Sequence, residues 1–184
     1  MDTGDFIVID IETSGGDMRN IPEGFQLLLT GLRCDNFYAM YTSEPESLAA
    51  LADQLESFSG PLVTFNGDRF DIPVLDRWFS EVLDRKVFIQ QHYDLMAEIV
   101  KISGRRISLD NLCLNTLGKE KLKWDHKRNA EVWATEPELL VDYNKVDVDL
   151  THEIFMRVLR SEPLFLGNTT ITLPLPSSNA PQLR

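Results

Sequence analysis

Two carboxylates, Asp10 and Glu12, sit one residue apart inside the apolar run FIVIDIETS, residues 6–14. In an extended strand, side chains two apart point to the same face. Asp10 and Glu12 therefore stand side by side, where they repel unless they are solvated, protonated or sharing a cation. A hard divalent ion such as Mg²⁺ resolves that conflict, because it takes carboxylate oxygens. The plainer alternative is a strand that ends in polar residues and turns through Glu12-Thr13-Ser14-Gly15-Gly16.

Two more acids stand in suggestive places. A helical period over residues 135–160 puts Tyr143, Asp147, Leu150, Ile154 and Val158 within about 80° of one another. Asp147 thus falls inside an apolar stripe, while Asp142, Lys145 and Asp149 point elsewhere. A buried carboxylate needs a cation, a proton or several donors. Pairing with a nearby arginine is the ordinary alternative. Tyr143 lies one turn earlier, so its hydroxyl can share the site. His152 lies beyond Asp147 and is expected on the surface. Asp71 lies in TFNGDRFDIPVL, where Asn66 and Gly67 end a strand and a helix begins. There an N-cap role, with Pro73 in the first turn, competes with a ligand role.

These residues must be held by regular elements. Residues 6–11, 25–33 and 36–42 read as strands with short links, an antiparallel meander. Ser43-Glu44-Pro45-Glu46 reads as a capping box opening a helix that carries Leu48, Leu51, Leu55 and Phe58. Gly60 ends it, and residues 61–65 return as a strand, parallel through the crossover. A helix over 70–83, a strand over 86–91 and a helix from Asp94 follow. A short helix over 108–117 stops at Gly118. Thr135-Glu136-Pro137-Glu138 reads as a second capping box, opening a long helix to about residue 160. The division expected is one domain over 1–160 and a C-terminal extension over 161–184, partly extended or disordered. Residues 169–175 could form an edge strand, and the last eight residues are expected to be loose.

Composition narrows the class. The chain has 184 residues, 43% hydrophobic and 26% charged, ordinary values for a soluble globular protein. No apolar run is long enough for a membrane helix, and the acidic start MDTGDF is unlike a signal peptide. Cys34 and Cys113 fit no zinc or redox spacing and read as reduced thiols. A cytoplasmic location is expected. The net charge of −11 argues against bulk attraction to nucleic acid. Residues 101–128, however, hold eight Lys or Arg against three acids, which leaves −16 on the remainder. That segment is either a solvated surface or a phosphate-binding flank.

The order Asp-x-Glu, then Asn-Gly-x-x-Phe-Asp, then Tyr-x-x-x-Asp resembles the ribonuclease H-like (DnaQ-like) 3′-to-5′ exonucleases with four acidic residues, in their tyrosine subclass. The stretches LVTFNGDRFDIPVL and YNKVDV look closest to stand-alone bacterial predicted exonucleases and to polymerase proofreading domains. The likeness spans residues 6–159, and each motif alone is weak. The histidine subclass does not fit, because its base position holds Asp142 here. The resemblance implies an α/β fold with a central five-stranded mixed sheet flanked by helices. It implies catalytic Asp10, Glu12, Asp71, Tyr143 and Asp147, with the four acids holding two divalent ions, Mg²⁺ or Mn²⁺. It places Ile11 and Thr13 at the terminal nucleotide, and Asn66 and Phe70 at the penultimate one. Asp94 matches a recurrent family position, where a helix cap is the preferred reading over a ligand. The partner expected is single-stranded nucleic acid with a free 3′ end, DNA before RNA, in repair or proofreading. The alternatives are an RNA-directed or structure-specific nuclease on the same site, and an inactive metal-binding adapter. The extension is either a docking segment for a protein partner, a covering strand or a loose end.

Overall fold

The computed structural model describes residues 6–35, 37–121 and 123–176. A five-stranded sheet runs in the order β3-β2-β1-β4-β5, with β1 (Ile7–Gly15) at its centre. β2 (Phe25–Cys34) and β3 (Phe37–Thr42) complete the antiparallel meander. β4 (Leu62–Thr64) and β5 (His92–Asp94) add in parallel on the other side. Mixed pairing follows from the connections. The antiparallel strands need only tight turns, whereas β4 is reached by a crossover through α1 (Pro45–Ser57).

The central strand separates two apolar layers. Ile7, Ile9 and Ile11 face Leu48, Leu51 and Leu55 of α1 and Leu75 and Phe79 of α2 (Asp71–Leu83). Phe6 and Val8 face Val148, Ile154, Phe155 and Val158 of the long helix α6 (Pro137–Leu159). Asp10 and Glu12 continue the Phe6–Val8 row, so their side chains emerge under α6 where the apolar row stops. The β1–β2 register slips between Glu12 and Thr13, which pair with Leu29 and Leu27. A bulge of this kind bends a strand and re-aims its side chains.

α3 (Leu95–Ser103), α4 (Leu109–Leu117) and α5 (Asn129–Thr135) fill in around α6. Gly118 ends α4 in the left-handed conformation, as its position predicts. Several local expectations fail. Residues 86–91 form no strand, and β5 is the next three residues instead. Neither expected capping box forms: the N-caps are Glu44 and Glu136, with no side-chain cap bond. Pro45 and Pro137 at the first helical positions remove an orphan donor and set the helical φ without a cap. The C-terminal stretch does not join the main sheet. β6 (Leu164–Leu166) and β7 (Thr169–Ile171) form their own hairpin. Leu164, Ile171 and Leu173 are buried in the α6 layer. The last eight residues lie outside the described ones, as does Asn36.

Candidate metal centre

α6 crosses β1 so that Asp147 comes down beside Asp10 and Glu12. One carboxylate oxygen from each of the three lies within 4.8 Å of the other two. Among the described residues this is the one such group of metal-ligating side chains. Glu12 and Asp147 are buried and Asp10 is half-buried.

Asp10 and Glu12 are each aimed by an amide. Asn144 Nδ2 donates to Asp10 Oδ2 at 2.9 Å and to the Asp10 carbonyl at 3.2 Å. Tyr38 Oη in turn donates to Asn144 Oδ1 at 3.0 Å. The approach requires Gly31 on β2, since a Cβ there would lie 1.8 Å from Asn144 Oδ1. Asn129 Nδ2 donates to Glu12 Oε2 and to the Thr13 carbonyl, both at 3.0 Å. Trp124 Nε1 donates to Asn129 Oδ1 at 2.7 Å. The sequence reading missed Asn129, Asn144 and Tyr38 as site residues. The spacing signal for Asn144 was present, because it neighbours Tyr143 on the buried side of α6.

Asp71 is the first residue of α2 rather than its cap, a place taken by Phe70. Its Oδ1 accepts the Ile11 N–H at 3.2 Å, past the point where β4 stops pairing with β1. It lies outside the tight group of three but close enough to raise the Asp10 pKa by repulsion.

The electrostatics are those of an incomplete site. Burial, then repulsion from Asp71, Asp147 and Glu12, raises the Asp10 carboxyl well above its usual range. Burial, then Asp147, pushes Glu12 up to about 8. Burial pushes Asp71 up to about 7. Asp147 is raised by burial, while Lys121 and the Tyr143 hydroxyl pull it back. Lys121 Nζ pairs with Asp147 Oδ2, but Asp147 Oδ1 is buried with no hydrogen-bond partner. An unpartnered buried carboxylate oxygen is costly. A hard-oxygen donor set with such an orphan suits a divalent cation.

Tyr143 is boxed in by the basic segment. Trp124 stacks on it at 4.6 Å between ring centroids, and Lys121 Nζ lies 4.6 Å from its ring centre. Burial, then repulsion from Asp147, Glu12 and Asp10, holds its phenol well above the ordinary value. The segment over 101–128 is thus mixed in role. Lys119 pairs with Glu153 on the surface, whereas Lys121 and Trp124 wall the acids.

The remaining expected residues surround this centre unevenly. The Ile11 side chain points into the α1–α2 core and offers only its backbone. Thr13 is half-buried, its carbonyl held by Asn129. Phe70 is half-buried, edge-on to Phe25 at 5.1 Å. Asn66 adopts φ 71° and accepts a hydrogen bond from Arg106. Asp94 is a helix cap, accepting from Met96 and Ala97 N–H. His152 is a correction: it is buried and stacked on Phe6 at 5.0 Å. α6 packs on the sheet through β1 and β2 and also against α4 and α5, so its buried face is wider than one apolar stripe.

The family model described as RNase_H superfamily matches residues 7–158. The chain belongs to the RNase H superfamily. A family B DNA polymerase from the hyperthermophilic archaeon Pyrobaculum calidifontis shares the fold, with a TM-score of 0.64 at 15% identity. The match covers 84% of this RNase H-superfamily chain and 24% of the polymerase chain. No curated protein matches the sequence. No helix among the described residues is long and apolar enough to cross a membrane.

Proposed function

We propose that this chain is a metal-dependent 3′-to-5′ exonuclease of the tyrosine subclass, acting on single-stranded nucleic acid and on DNA before RNA. One observation carries the reading. Three acids from two remote parts of the chain, Asp10 and Glu12 on β1 and Asp147 on α6, meet within 4.8 Å, beside a tyrosine, with a buried carboxylate oxygen left unpartnered. The polymerase likeness supports DNA as the first substrate to try.

Asp10, Glu12 and Asp147 would hold the divalent ions, two Mg²⁺ or Mn²⁺, with Asp71 in a supporting role. Such ions, when bound, supply positive charge at the attacking and leaving oxygens of a phosphodiester. The chain's own residues do the rest. Asn144 and Asn129 fix the carboxylate rotamers of Asp10 and Glu12 before any ion arrives. Tyr143 presents its hydroxyl beside Asp147, where it orients or helps deprotonate the attacking water. Ile11 and Thr13 present backbone and hydroxyl groups to the terminal nucleotide, and Asn66 and Phe70 flank the next one.

The test uses 5′-end-labelled and 3′-end-labelled single strands of DNA and RNA, with Mg²⁺, Mn²⁺ or chelator. A metal-dependent ladder shortening stepwise from the 3′ end is the expected result. Internal cuts would replace this reading with a structure-specific nuclease. Binding without cleavage would replace it with an adapter.

A further inference from the structure

The turn between β4 and α2 carries Asn66, Phe70 and Asp71 into the site, and it is fastened from behind. Asp94 accepts the backbone N–H of Asn66 at 2.8 Å and of Asp68 at 3.0 Å. Gly67 presses so closely on Thr64 that a Cβ would lie 2.3 Å from its hydroxyl oxygen. A second fastening is less expected. The Asp68 side chain, which has open solvent available, turns back instead to His92 on β5. His92 Nδ1 and Asp68 Oδ1 lie 2.9 Å apart, with the imidazole only 5% exposed and Asp68 48% exposed. His92 Nε2 lies 2.8 Å from the hydroxyl of Thr64, itself fully buried.

This Thr–His–Asp row is not a nucleophilic triad, because the threonine has no access to solvent. It is a holding device. An ionised Asp68 only accepts, so Nδ1 carries the proton and donates. Nε2 then accepts from the Thr64 hydroxyl, or donates to it when the ring is charged, since a hydroxyl serves either way. Both ring nitrogens stay engaged in either charge state. The ring therefore joins β4, β5 and the turn whatever its protonation.

We propose that His92 and Asp68 are positioning residues, clasping the turn over residues 66–70 so that Asn66 and Phe70 meet a bound nucleic-acid strand in one pose. The proposal rests on the nuclease reading for its ligand, but the clasp itself is read without it. The polymer's end is gripped by a surface whose stiffness comes from β5, behind the turn. Asp71 has its own anchors, its place in α2 and the Ile11 N–H, so loss of the clasp weakens strand binding and leaves the chemical step alone.

The experiment pairs amide hydrogen exchange with cleavage kinetics on Asp68→Ala, Asp68→Asn, His92→Asn and His92→Gln. Asp68 is half-exposed, so its variants fold. The turn's own bonds, from Arg69, Phe70 and Ile72 N–H to Asn66 and Gly67 carbonyls, report its order. Asp68→Ala is expected to speed exchange there and raise KM for a short single strand, each by about tenfold, the worth of one charge-assisted hydrogen bond. kcat stays within about threefold. Asp68→Asn keeps an acceptor and behaves like wild type. His92→Asn keeps the donor near Nδ1 and restores KM, whereas His92→Gln reaches only Thr64 and mimics Asp68→Ala. Unchanged exchange in Asp68→Ala overturns the clasp. Faster exchange with unchanged KM, or a kcat loss as large as the loss in kcat/KM, overturns the positioning role. A wild-type protein that cleaves no strand with metal removes the nuclease reading and the strand-positioning role with it, while exchange still decides whether the clasp holds the turn.

Discussion

Asp94 and Asp147 are the same residue type at nearly the same burial, 5% and 4% exposed. Their surroundings differ completely. Asp94 stands where a strand becomes a helix and accepts four backbone N–H groups, those of Asn66, Asp68, Met96 and Ala97. The protein supplies every partner it needs. Asp147 has one oxygen on Lys121 and the other on nothing, with Asp10 and Glu12 crowding it. Burial therefore does not distinguish a carboxylate that the fold satisfies from one that it leaves open. What distinguishes them is whether the fold completes the hydrogen bonding or leaves it open.

Substitutions can break that contrast. Asp147→Ala is expected to lower turnover at least about 10³-fold, the several kcal/mol that metal-held charge supplies. In chelator its melting temperature should match or exceed wild type, because a repelling buried acid has gone. A drop of several degrees would place Asp147 in the structural class with Asp94. Asp94→Ala should do the opposite. It orphans four N–H groups, three of them part-buried, and at about 1 kcal/mol each, the low end for such groups, it should cost about 3–4 kcal/mol by denaturant titration. A neutral Asp94→Ala would mean the anchor is redundant. Tyr143→Phe removes one positioned hydroxyl and should slow cleavage about 10²-fold with the fold intact. A loss confined to KM would reassign Tyr143 to substrate binding.

The smallest effect sharpens the comparison by pH. Glu12 is pushed from 4.5 to about 8 and Asp71 from 3.8 to about 7, with Asp10 and Asp147 also raised. Between those limits the folded state holds protons that the unfolded state lacks. The cluster's contribution to the stability of the metal-free protein should thus be greatest below about pH 4 and fall as pH rises to about 8. Saturating Mg²⁺ or Mn²⁺ needs the ionised acids, so the stabilisation it gives should grow over the same range. Melting curves at pH 5.5 and 8.5, with metal and with chelator, read both slopes. Equal slopes would mean the cluster holds no ion.

The sequence revealed the parts whose signal is periodic. Alternation along residues 6–12 put Asp10 and Glu12 on one face, and the 3.6-residue stripe put Tyr143 and Asp147 on another; both arrangements occur. The long helices were legible for the same reason, whereas the antiparallel meander and the parallel crossover were read from the lengths of their links. What stayed hidden was set by tertiary contact. Asn129 and Asn144 look like ordinary polar residues until α5 and α6 bring them onto Glu12 and Asp10. Gly31 looks like a weak point in a strand until Asn144 needs its missing side chain. The strand over 86–91 was misplaced because its apolar residues pack singly beside α1 and α2, while the pairing falls on His92-Tyr93-Asp94. His152 was misjudged because one stripe cannot reveal a helix covered on two sides.

The small β6–β7 hairpin has a consequence for the chain's durability. Leu164, Ile171 and Leu173 cap the same apolar layer that supports α6. The Tyr93 hydroxyl ties the following stretch down through the Pro174 carbonyl at 2.7 Å. A protease nicking the link between α6 and the hairpin, with the tail then lost, would uncover greasy surface on α3 and α4, in the apolar layer that also packs the helix bearing Asp147. Such a clipped product should clump before its acids are ever tested, so the hairpin is the seal on this half of the molecule.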